Sequence, residues 1–421
     1  MAEGSNSNGY HIEDDSEMLV YKKSALSVTT FKIVYNHDDL GGSKKTLHFN
    51  PFMAHQVFGE NESIFGYRSL SITIYYLHSS SRCYVDVQKS GKLKSNTLKV
   101  DDIMQSLDSW LPTGYTTELK QFEEAVKNEK HDVMFGEVLM DFKDKLECKL
   151  FPYKNVHSNY KISLCDVNDA EFQEYHKRFE TFIVWFIDGA SYIDLSDERW
   201  MLFYVYEEFM HPEKKEIYRT PIGYCSVYKF LAYPDKVRAR ISQFFIMPSH
   251  HRRGIGSKLY NVVVDKLRSL PEVIDITVEE PTNVFQKIRD FSDCQKVMQE
   301  LKDNDIDLVA TDIKKIFSHM KKFKIGKKQC QRLYDILRCY HASRMSIMEY
   351  SKYVRNIRKR ISADIEKEYR GSKRVCNLNW TAIPVERLAD RESLVESEFK
   401  DYMDSIEPSV KSMQQNLAGS R

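Results

Sequence analysis

The sequence predicts an α/β protein: a central mixed sheet with flanking helices over residues 156–294, preceded by an α+β N-terminal domain and followed by a small helical C-terminal domain. Three observations predict it. Apolar residues alternate with period two between about Leu26 and Leu77. A single amphipathic helix and two strands then lead into a β–loop–α–β order that ends near Glu279. From residue 295 to 340 the pattern is helical and rich in lysine.

In the first domain (21–155), Val28–Tyr35 and Leu70–Tyr76 read as strands, and Asp38-Asp39-Leu40-Gly41-Gly42 as a turn. Cys83–Val87 is a further strand candidate; Asp101–Leu111 and Glu118–Val126 read as short helices. The helix Glu171–Ile187 carries Phe172, Tyr175, Phe179, Phe182, Ile183 and Phe186 at intervals of three and four. Strands Met201–Glu207 and Pro221–Leu231 bracket a turn at His211–Lys215. Strand Ala239–Met247, a loop, helix Ser257–Leu270, a stop at Pro271 and strand Val273–Glu279 complete the domain. Residues 295–340 form the helical C-terminal domain, with Lys314, Lys315, Lys321, Lys322, Lys324, Lys327 and Lys328 giving it basic character. Residues 1–20 read as a disordered tail and 341–421 as a charged extension of helices and disorder.

Composition narrows the function classes. With 62 basic and 61 acidic residues the net charge is +1, so no global field advertises nucleic acid or an anionic membrane. The eight cysteines stand without CxxC pairs, which suggests reduced thiols in the cytosol or nucleus. The thirteen histidines include no HExxH and no zinc spacing, so no metal is expected. The N-terminal stretch lacks the basic-then-apolar order of a signal peptide, and Phe182–Ile187, the strongest apolar run, is too short to span a bilayer. A soluble intracellular protein is expected.

The chemistry concentrates after the hydrophobic strand Ile241–Met247. Pro248 ends that strand, and His250-His251-Arg252-Arg253-Gly254-Ile255-Gly256 leads into a helix with the apolar face Leu259, Val262, Val263, Leu267 and Leu270. Glycines there permit a tight turn that aims successive N–H groups at an anion, and the two arginines add charge. A pyrophosphate suits such a site, although many strand–Gly–helix turns only connect elements, and this one is neither a Walker loop nor GxGxxG. In the next strand, alternation puts Ile274, Ile276 and Val278 on one face and Asp275, Thr277 and Glu279 on the other. A carboxylate at that strand end is placed for general-base work; the other reading is a solvated strand-end acid or a cap of the next helix.

These residues resemble the acetyl-CoA motif of the GNAT acetyltransferases, Gln/Arg-x-x-Gly-x-Gly/Ala. More narrowly, the chain resembles the type B histone acetyltransferase catalytic subunits, through Phe58-Gly59-Glu60-Asn61-Glu62, Phe65-Gly66-Tyr67, Tyr175-His176 and Trp185-Phe186-Ile187. Asp197-Glu198-Arg199-Trp200, Tyr233-Pro234-Asp235-Lys236, Ile241-Ser242-Gln243, Asp275–Glu279, Arg289-Asp290, Phe323-Lys324-Ile325 and Tyr334–Arg338 continue it. The likeness runs over about residues 20–340.

The resemblance implies acetyl-CoA between strands 239–247 and 273–279. Phe244, Phe245 and Ile246 would bond the acetyl and pantetheine parts through their backbone. His251, Arg252, Arg253, Gly254, Ile255, Gly256 and Ser257 would hold the pyrophosphate, with Thr282 and Phe285 bordering the coenzyme arm. His251 departs from the usual Gln or Arg. Glu279 matches the family's general base, and Glu280 and Asp188 match two assisting acids; Asp188 is one carbon shorter than the Glu expected there. A lysine amine near pKa 10.4 is mostly protonated at neutral pH, and reaching its nucleophilic form costs roughly 4 kcal/mol. A buried carboxylate would take that proton, while a backbone N–H of strand 244–246 would meet the developing oxyanion.

Substrate contacts implied by the same likeness are Glu60, Asn61, Glu62, Trp200, Tyr228, Lys229 and Phe230. The acids would attract a basic tail and the aromatics would cover its apolar parts. From the residues alone, Trp200 reads as core packing and Glu60 and Glu62 as an exposed loop surface. The resemblance further implies newly synthesised histone H4 as substrate, alone or with H3 as a dimer; lysine acetylation before nucleosome assembly; and a WD-repeat histone-binding chaperone as partner. Location in nucleus and cytoplasm, with neither membrane nor direct DNA binding, goes with it. Two other classes stay open: a GNAT for another protein or small amine, and a non-catalytic histone-binding scaffold. Cys225, central in Gly223-Tyr224-Cys225-Ser226-Val227, would serve a ping-pong mechanism, but no neighbour in sequence activates it and direct transfer is favoured. Arg355, Arg358, Lys359, Arg360, Lys373 and Arg374 read either as a solvated helical face or as an import or nucleic-acid patch.

Overall fold

The computed structural model describes residues 18–41, 46–94, 98–143, 156–342, 345–375 and 386–418. The chain divides into two compact units: residues up to Phe230 together with Ile241–Val263, and Leu231–Arg240 together with the chain from Val264.

In the first unit, β1 (Lys22–Ser24), α1 (Ala25–Val28), β2 (Thr29–Val34), β3 (Leu47–Phe49), α2 (His55–Phe58), β4 (Ser63–Phe65), β5 (Tyr67–Leu77) and β6 (Cys83–Lys92) form two small sheets. The larger runs β3-β2-β5-β6, with β2 parallel to β5 and the outer pairs antiparallel. Period-two patterning does what it predicts in β2, where Phe31 and Ile33 are buried and Thr30 and Lys32 are not. Helices α3 (Ile103–Asp108) and α4 (Leu119–Lys127) are shorter than, or equal to, the expected ones.

The central sheet contains β7 (Glu137–Lys143), β8 (Asn159–Cys165), β9 (Trp200–Met210), β10 (Ile217–Ala232) and β11 (Lys236–Ile246), in that order. Strand β10 pairs antiparallel with β9, with a register shift between Pro221 and Gly223, the irregularity at which a strand tolerates proline. Strands β7 and β8 were not anticipated; β7 lies at a largely exposed edge, and its Val138-Leu139-Met140 run, where the register shifts, breaks the alternation that marks a strand.

Asp169 caps α5 (Ala170–Phe179), accepting from the N–H groups of Glu171 and Phe172 at 2.9 and 3.3 Å. The expected helix to Ile187 is corrected here: from Glu180 to Trp185 the chain tightens into a 3₁₀ helix. All six of those residues are buried, so their spacing carries no one-sided period to read. Phe182 and Trp185 reach Phe31 at ring-centroid distances of 5.6 and 5.4 Å, which makes the N-terminal sheet and α5 walls of one core.

Helix α6 (Ile255–Ser269) begins in the first unit and ends in the second, two residues earlier at its start than the expected Ser257. The second unit adds β12 (Val273–Val278), beside β11, then α7 (Asn283–Asp303), α8 (Ile313–Lys321), α9 (Lys327–Tyr340), α10 (Ile347–Val375) and α11 (Glu386–Ala418). Its core joins Val297, Ile316, Leu333 and Ile336 to Ile406, Val410 and Met413 of α11. Buried carboxylates tie the last helices in. Asp290 accepts from Gln329, Arg332 and Ser409 at 3.0, 2.8 and 3.1 Å. Asp335 accepts from Arg360 and Tyr402, each at 2.6 Å. Arg358 pairs with both oxygens of Glu396 at 2.9 Å and lies over the Phe399 ring. Two of the basic residues set aside as a surface patch are therefore engaged within the helical unit, while the side chains of Lys373 and Arg374 lie outside the described residues. So does the tail as far as residue 17.

Candidate functional site

Within the first unit, the end of β11 and the loop after it are held from several sides. Met247 N–H donates to Ile222 O at 2.7 Å, and His250 N–H to Met247 O at 2.9 Å. Gln243 donates its backbone N–H to Ser226 Oγ and its side-chain amide to Ser191 O, at 2.9 and 2.7 Å. Tyr224 Oη donates to the same side chain's carbonyl at 2.7 Å. Of the three residues expected along the coenzyme, Phe245 and Ile246 are buried and Phe244 is half-buried. Phe245 stacks on Phe182 at 6.0 Å.

The loop then turns through a 3₁₀ segment, Pro248–His250, into α6. Arg252 and Gly254 both take left-handed backbone angles, φ +61° and +77°. For a non-glycine residue that conformation costs about 1 kcal/mol or more, so the turn is specified by its surroundings. A Cβ built on Gly254 would meet nothing within 4 Å, so the loop is open on that side. Lys258 N–H to Gly254 O, 3.2 Å, is the first helical bond, and the N–H groups of the turn before it have no intrahelical acceptor. An alternating backbone of this kind at the head of a fifteen-residue helix fits a diphosphate. His251, exposed, closes the loop by donating Nε2–H to Ile246 O at 2.7 Å, a bond that its sequence position does not disclose.

A second cluster of the first unit joins two expected residues through one that was not singled out. His55 Nε2 lies 3.0 Å from Asp188 Oδ1, and His55 Nδ1 lies 3.7 Å from Glu62 Oε1. Glu62, at φ +47°, also accepts Ala54 N–H at 2.6 Å, so its carboxylate is turned back onto α2. Glu60, Asn61 and Asp188 are exposed. No local motif links positions 55 and 188; only the fold does.

The aromatic residues expected to meet substrate pack edge-to-face on one another. Trp200 and Tyr228 are 4.8 Å apart, and Tyr228 and Phe230 4.6 Å. Tyr228 Oη donates to Asp197 at 2.9 Å, and Arg199 lies over the Tyr228 ring. The Arg199 side chain and backbone N–H, with Tyr228, hold the Asp197 carboxyl well below its ordinary range. Lys229 donates its N–H to Arg199 O at 3.0 Å. Trp200, half-buried, also packs against the core, so both of its readings describe it. Cys225 is fully buried and burial pushes its thiol up, which removes the thiolate that a ping-pong step would need.

Glu279, Glu280, Thr282 and Phe285 belong to the second unit. Strand β12 ends at Val278, one residue before the expected end, so Glu279 lies in the bend beyond it and is exposed, not buried. Glu280 follows at φ +32°. The strand itself is fixed: Val237 N–H reaches Glu272 O at 2.9 Å, Thr277 Oγ1 reaches Ala239 O at 3.3 Å, and Ile276 N–H reaches Lys324 O at 2.8 Å. Asp275 pairs with Arg238 at 2.7 Å, so the other acid on that face is already engaged. Ile274 is exposed although it shares the parity of buried Ile276. The Thr282 hydroxyl caps α7, accepting Phe285 N–H at 3.3 Å, and Phe285 is buried.

Two family profiles match the chain: "Histone acetyl transferase HAT1 N-terminus" over residues 21–188 and "Acetyltransferase (GNAT) family" over residues 168–287. Histone acetyltransferase type B catalytic subunits are similar along most of the chain. The human protein is 30% identical over 360 residues, covering 85% of this chain and 84% of its own. The mouse protein is 30% identical with the same coverage. That of Cryptococcus neoformans var. neoformans serotype D is 30% identical over 69% of this chain and 75% of its own.

Proposed function

The chain belongs to the histone acetyltransferase type B catalytic subunits, and from that membership we propose that it acetylates lysines in the N-terminal tail of newly synthesised histone H4. It is a histone acetyltransferase with a GNAT acetyltransferase domain. Acetyl-CoA supplies the acetyl group as a thioester. The observation that carries the coenzyme reading is the loop Arg252–Gly254, left-handed at both ends and open at the head of α6.

In this reading the loop residues His251–Ser257 bind the diphosphate, the backbone of Phe244, Phe245 and Ile246 aligns the pantetheine arm, and Thr282 and Phe285 border it. Glu279 accepts the proton of the lysine amine; Glu280 and Asp188 assist. An exposed carboxylate can exchange that proton with water, which is what a base must do on every turnover. Direct transfer is supported by the buried, protonated thiol of Cys225. The tail would lie along Glu60, Asn61, Glu62 and the aromatic cluster of Trp200, Tyr228 and Phe230, with Lys229 beside it; acids and an aromatic surface suit a basic peptide. A role in histone deposition, with H4 presented alone or with H3 by a WD-repeat chaperone in cytoplasm and nucleus, goes with this assignment.

Purified protein, acetyl-CoA and an H4 tail peptide, with acetylated sites mapped by mass spectrometry, test it. Turnover on tail lysines, reduced by about 10²-fold or more in Glu279→Gln, is expected for a general base. Absence of turnover with and without the chaperone would remove H4 as substrate, and full activity of the Gln variant would remove Glu279 as base.

A further inference from the structure

The loop that opens α6 rests on a buried polar network to which neither the loop motif nor acetyl transfer gives a role. At its centre is Glu207 of β9, which has no exposed surface. Tyr160 Oη of β8 donates to Glu207 Oε1 at 3.0 Å. His250 Nε2 lies 2.8 Å from Glu207 Oε2, and His250 Nδ1 lies 2.9 Å from Ser249 Oγ. Arg253 has its guanidinium 5.7 Å from the centre of the Tyr160 ring, and its charge is felt by the same carboxylate. Burial drives the Glu207 carboxyl up, yet His250, Ser158 and Arg253 together bring it below its ordinary value. Glu207 thus sits buried in the middle of the sheet with both of its carboxylate oxygens engaged.

For the strand alone, burying an acid there is costly. Its neighbours Leu202, Phe203, Tyr204, Val205 and Tyr206 are buried without charge, and replacing a buried ion pair by apolar packing is commonly neutral or stabilising. What Glu207 gains is a hold on His250, four positions before Gly254 and its left-handed turn, with Arg253 over the ring of Tyr160, its other partner. The same loop is pinned to the end of β11 by His251 on Ile246 O. A glycine turn that aims N–H groups at an anion binds well only if it is ordered beforehand, because ordering on binding costs affinity.

We propose that Glu207 and His250 are positioning residues, a buried brace under the diphosphate loop that keeps its backbone N–H groups aligned. The inference rests on the acetyl-CoA reading above.

The test uses the full chain with acetyl-CoA, S-acetylpantetheine (which lacks the diphosphate) and H4 tail peptide. Wild type should prefer acetyl-CoA strongly; equal use of both donors would overturn the diphosphate reading itself. In E207Q and in H250Q, KM for acetyl-CoA should rise about tenfold while kcat and KM for the tail stay within about twofold, as misalignment of a binding loop implies. The double variant should be no worse than the worse single one, since both remove the same brace. If wild type discriminates between donors but KM for acetyl-CoA is unchanged in the variants, or kcat and tail KM worsen in step with it, the brace is refuted and the coenzyme reading stands. Should E207Q fail to fold by circular dichroism, S249A, which removes only the outer bond to His250, should raise the same KM about two- to threefold; no rise refutes the brace.

Discussion

His55 Nε2 stands 3.0 Å from Asp188 Oδ1, and its other ring nitrogen faces Glu62. One imidazole thus spans two acids to which the family likeness assigns different tasks, assistance in catalysis and contact with the tail. Asp188 is four-fifths exposed, so without the ring its carboxylate would be solvated and free to point anywhere. In His55→Ala, kcat/KM for the tail should fall about two- to fivefold, the range of an exposed ion pair, with KM for acetyl-CoA unchanged. Steady-state kinetics with each substrate varied in turn measure it; tail kinetics equal to wild type would leave the pair without a functional role.

At Gly223, β10 runs close against β11. A Cβ there would overlap Phe245 O and stand 2.6 Å from Ile246 Cδ1, on the backbone that is proposed to align the pantetheine arm. Backbone atoms in a sheet interior cannot give way as a side-chain tip can. Gly223→Ala should cost about 1–3 kcal/mol of stability, as overpacking does, and should weaken coenzyme binding as β11 shifts. Thermal denaturation with and without CoA checks both; an unchanged melting temperature would mean that β11 is not held where it lies.

For Cys225 the expected outcome is retention. Its thiol is buried, its proton is held by burial, and its Sγ contact is a distant one, 3.8 Å from Ser226 O. Cys225→Ala should keep kcat within about threefold and lose of the order of 1 kcal/mol of stability for the small void. Intact-mass spectrometry of the protein mixed with acetyl-CoA alone should find no acetyl-enzyme; an adduct on Cys225 would restore the ping-pong route.

The parts of this molecule that were legible in the sequence are those encoded locally. The β11–loop–α6–β12 order could be read because its signals, a strand, Pro248, two glycines and an amphipathic stretch, follow one another within about forty residues. What escaped depends on contacts between distant segments. His55 meets Asp188 across the fold, and Glu207 meets His250 from another strand. In both cases the partner is an ordinary residue until the fold brings it there. The 3₁₀ turn Glu180–Trp185 was hidden by its total burial, and β7 by its exposure. Arg358 and Arg360 looked like surface charge because Glu396 and Asp335 lie 38 and 25 residues away.

Acid should weaken the first unit through His78. Its ring is stacked between Tyr35 and Tyr218, at 4.7 and 5.0 Å, with Nε2 2.9 Å from His131 Nδ1. Burial first, and then the neighbouring His131, hold His78 well below its ordinary 6.5. Above 6.5 the folded and unfolded chains are both neutral at this site, and stability does not change with pH. Below 6.5 the unfolded chain takes up the proton first, so stability falls as pH falls. Chemical denaturation between about pH 7 and pH 5 should show that slope, and His78→Phe, which keeps the stack, should flatten it. His131 and His211, also held low by burial, leave a residual slope. An identical slope in the variant would place the acid sensitivity elsewhere.

The final prediction concerns the helices after residue 341. Asp335 is almost fully buried, and Arg360 of α10 and Tyr402 of α11 both reach its Oδ2. Burial pushes this carboxyl up, and the arginine is what opposes it most strongly. In Arg360→Gln the carboxylate keeps the tyrosine but loses its charge partner, and the loss should be about 1–3 kcal/mol, because Arg360 itself is partly exposed. In the double variant with Asp335→Asn the uncompensated charge is gone, and much of that stability should return. Limited proteolysis and denaturation of the four proteins form the cycle. If the single and double variants are equally destabilised, the helices are held by their apolar contacts and the other polar pairs, not by the charge of Asp335. The same reasoning bears on nuclear entry: deleting 345–421 removes core residues of the second unit, so a loss of import in the deletion would report unfolding. Substituting exposed Lys352, Arg355 and Lys359 by Gln leaves the buried pair intact, and is the variant in which a change of localisation would speak for an import signal.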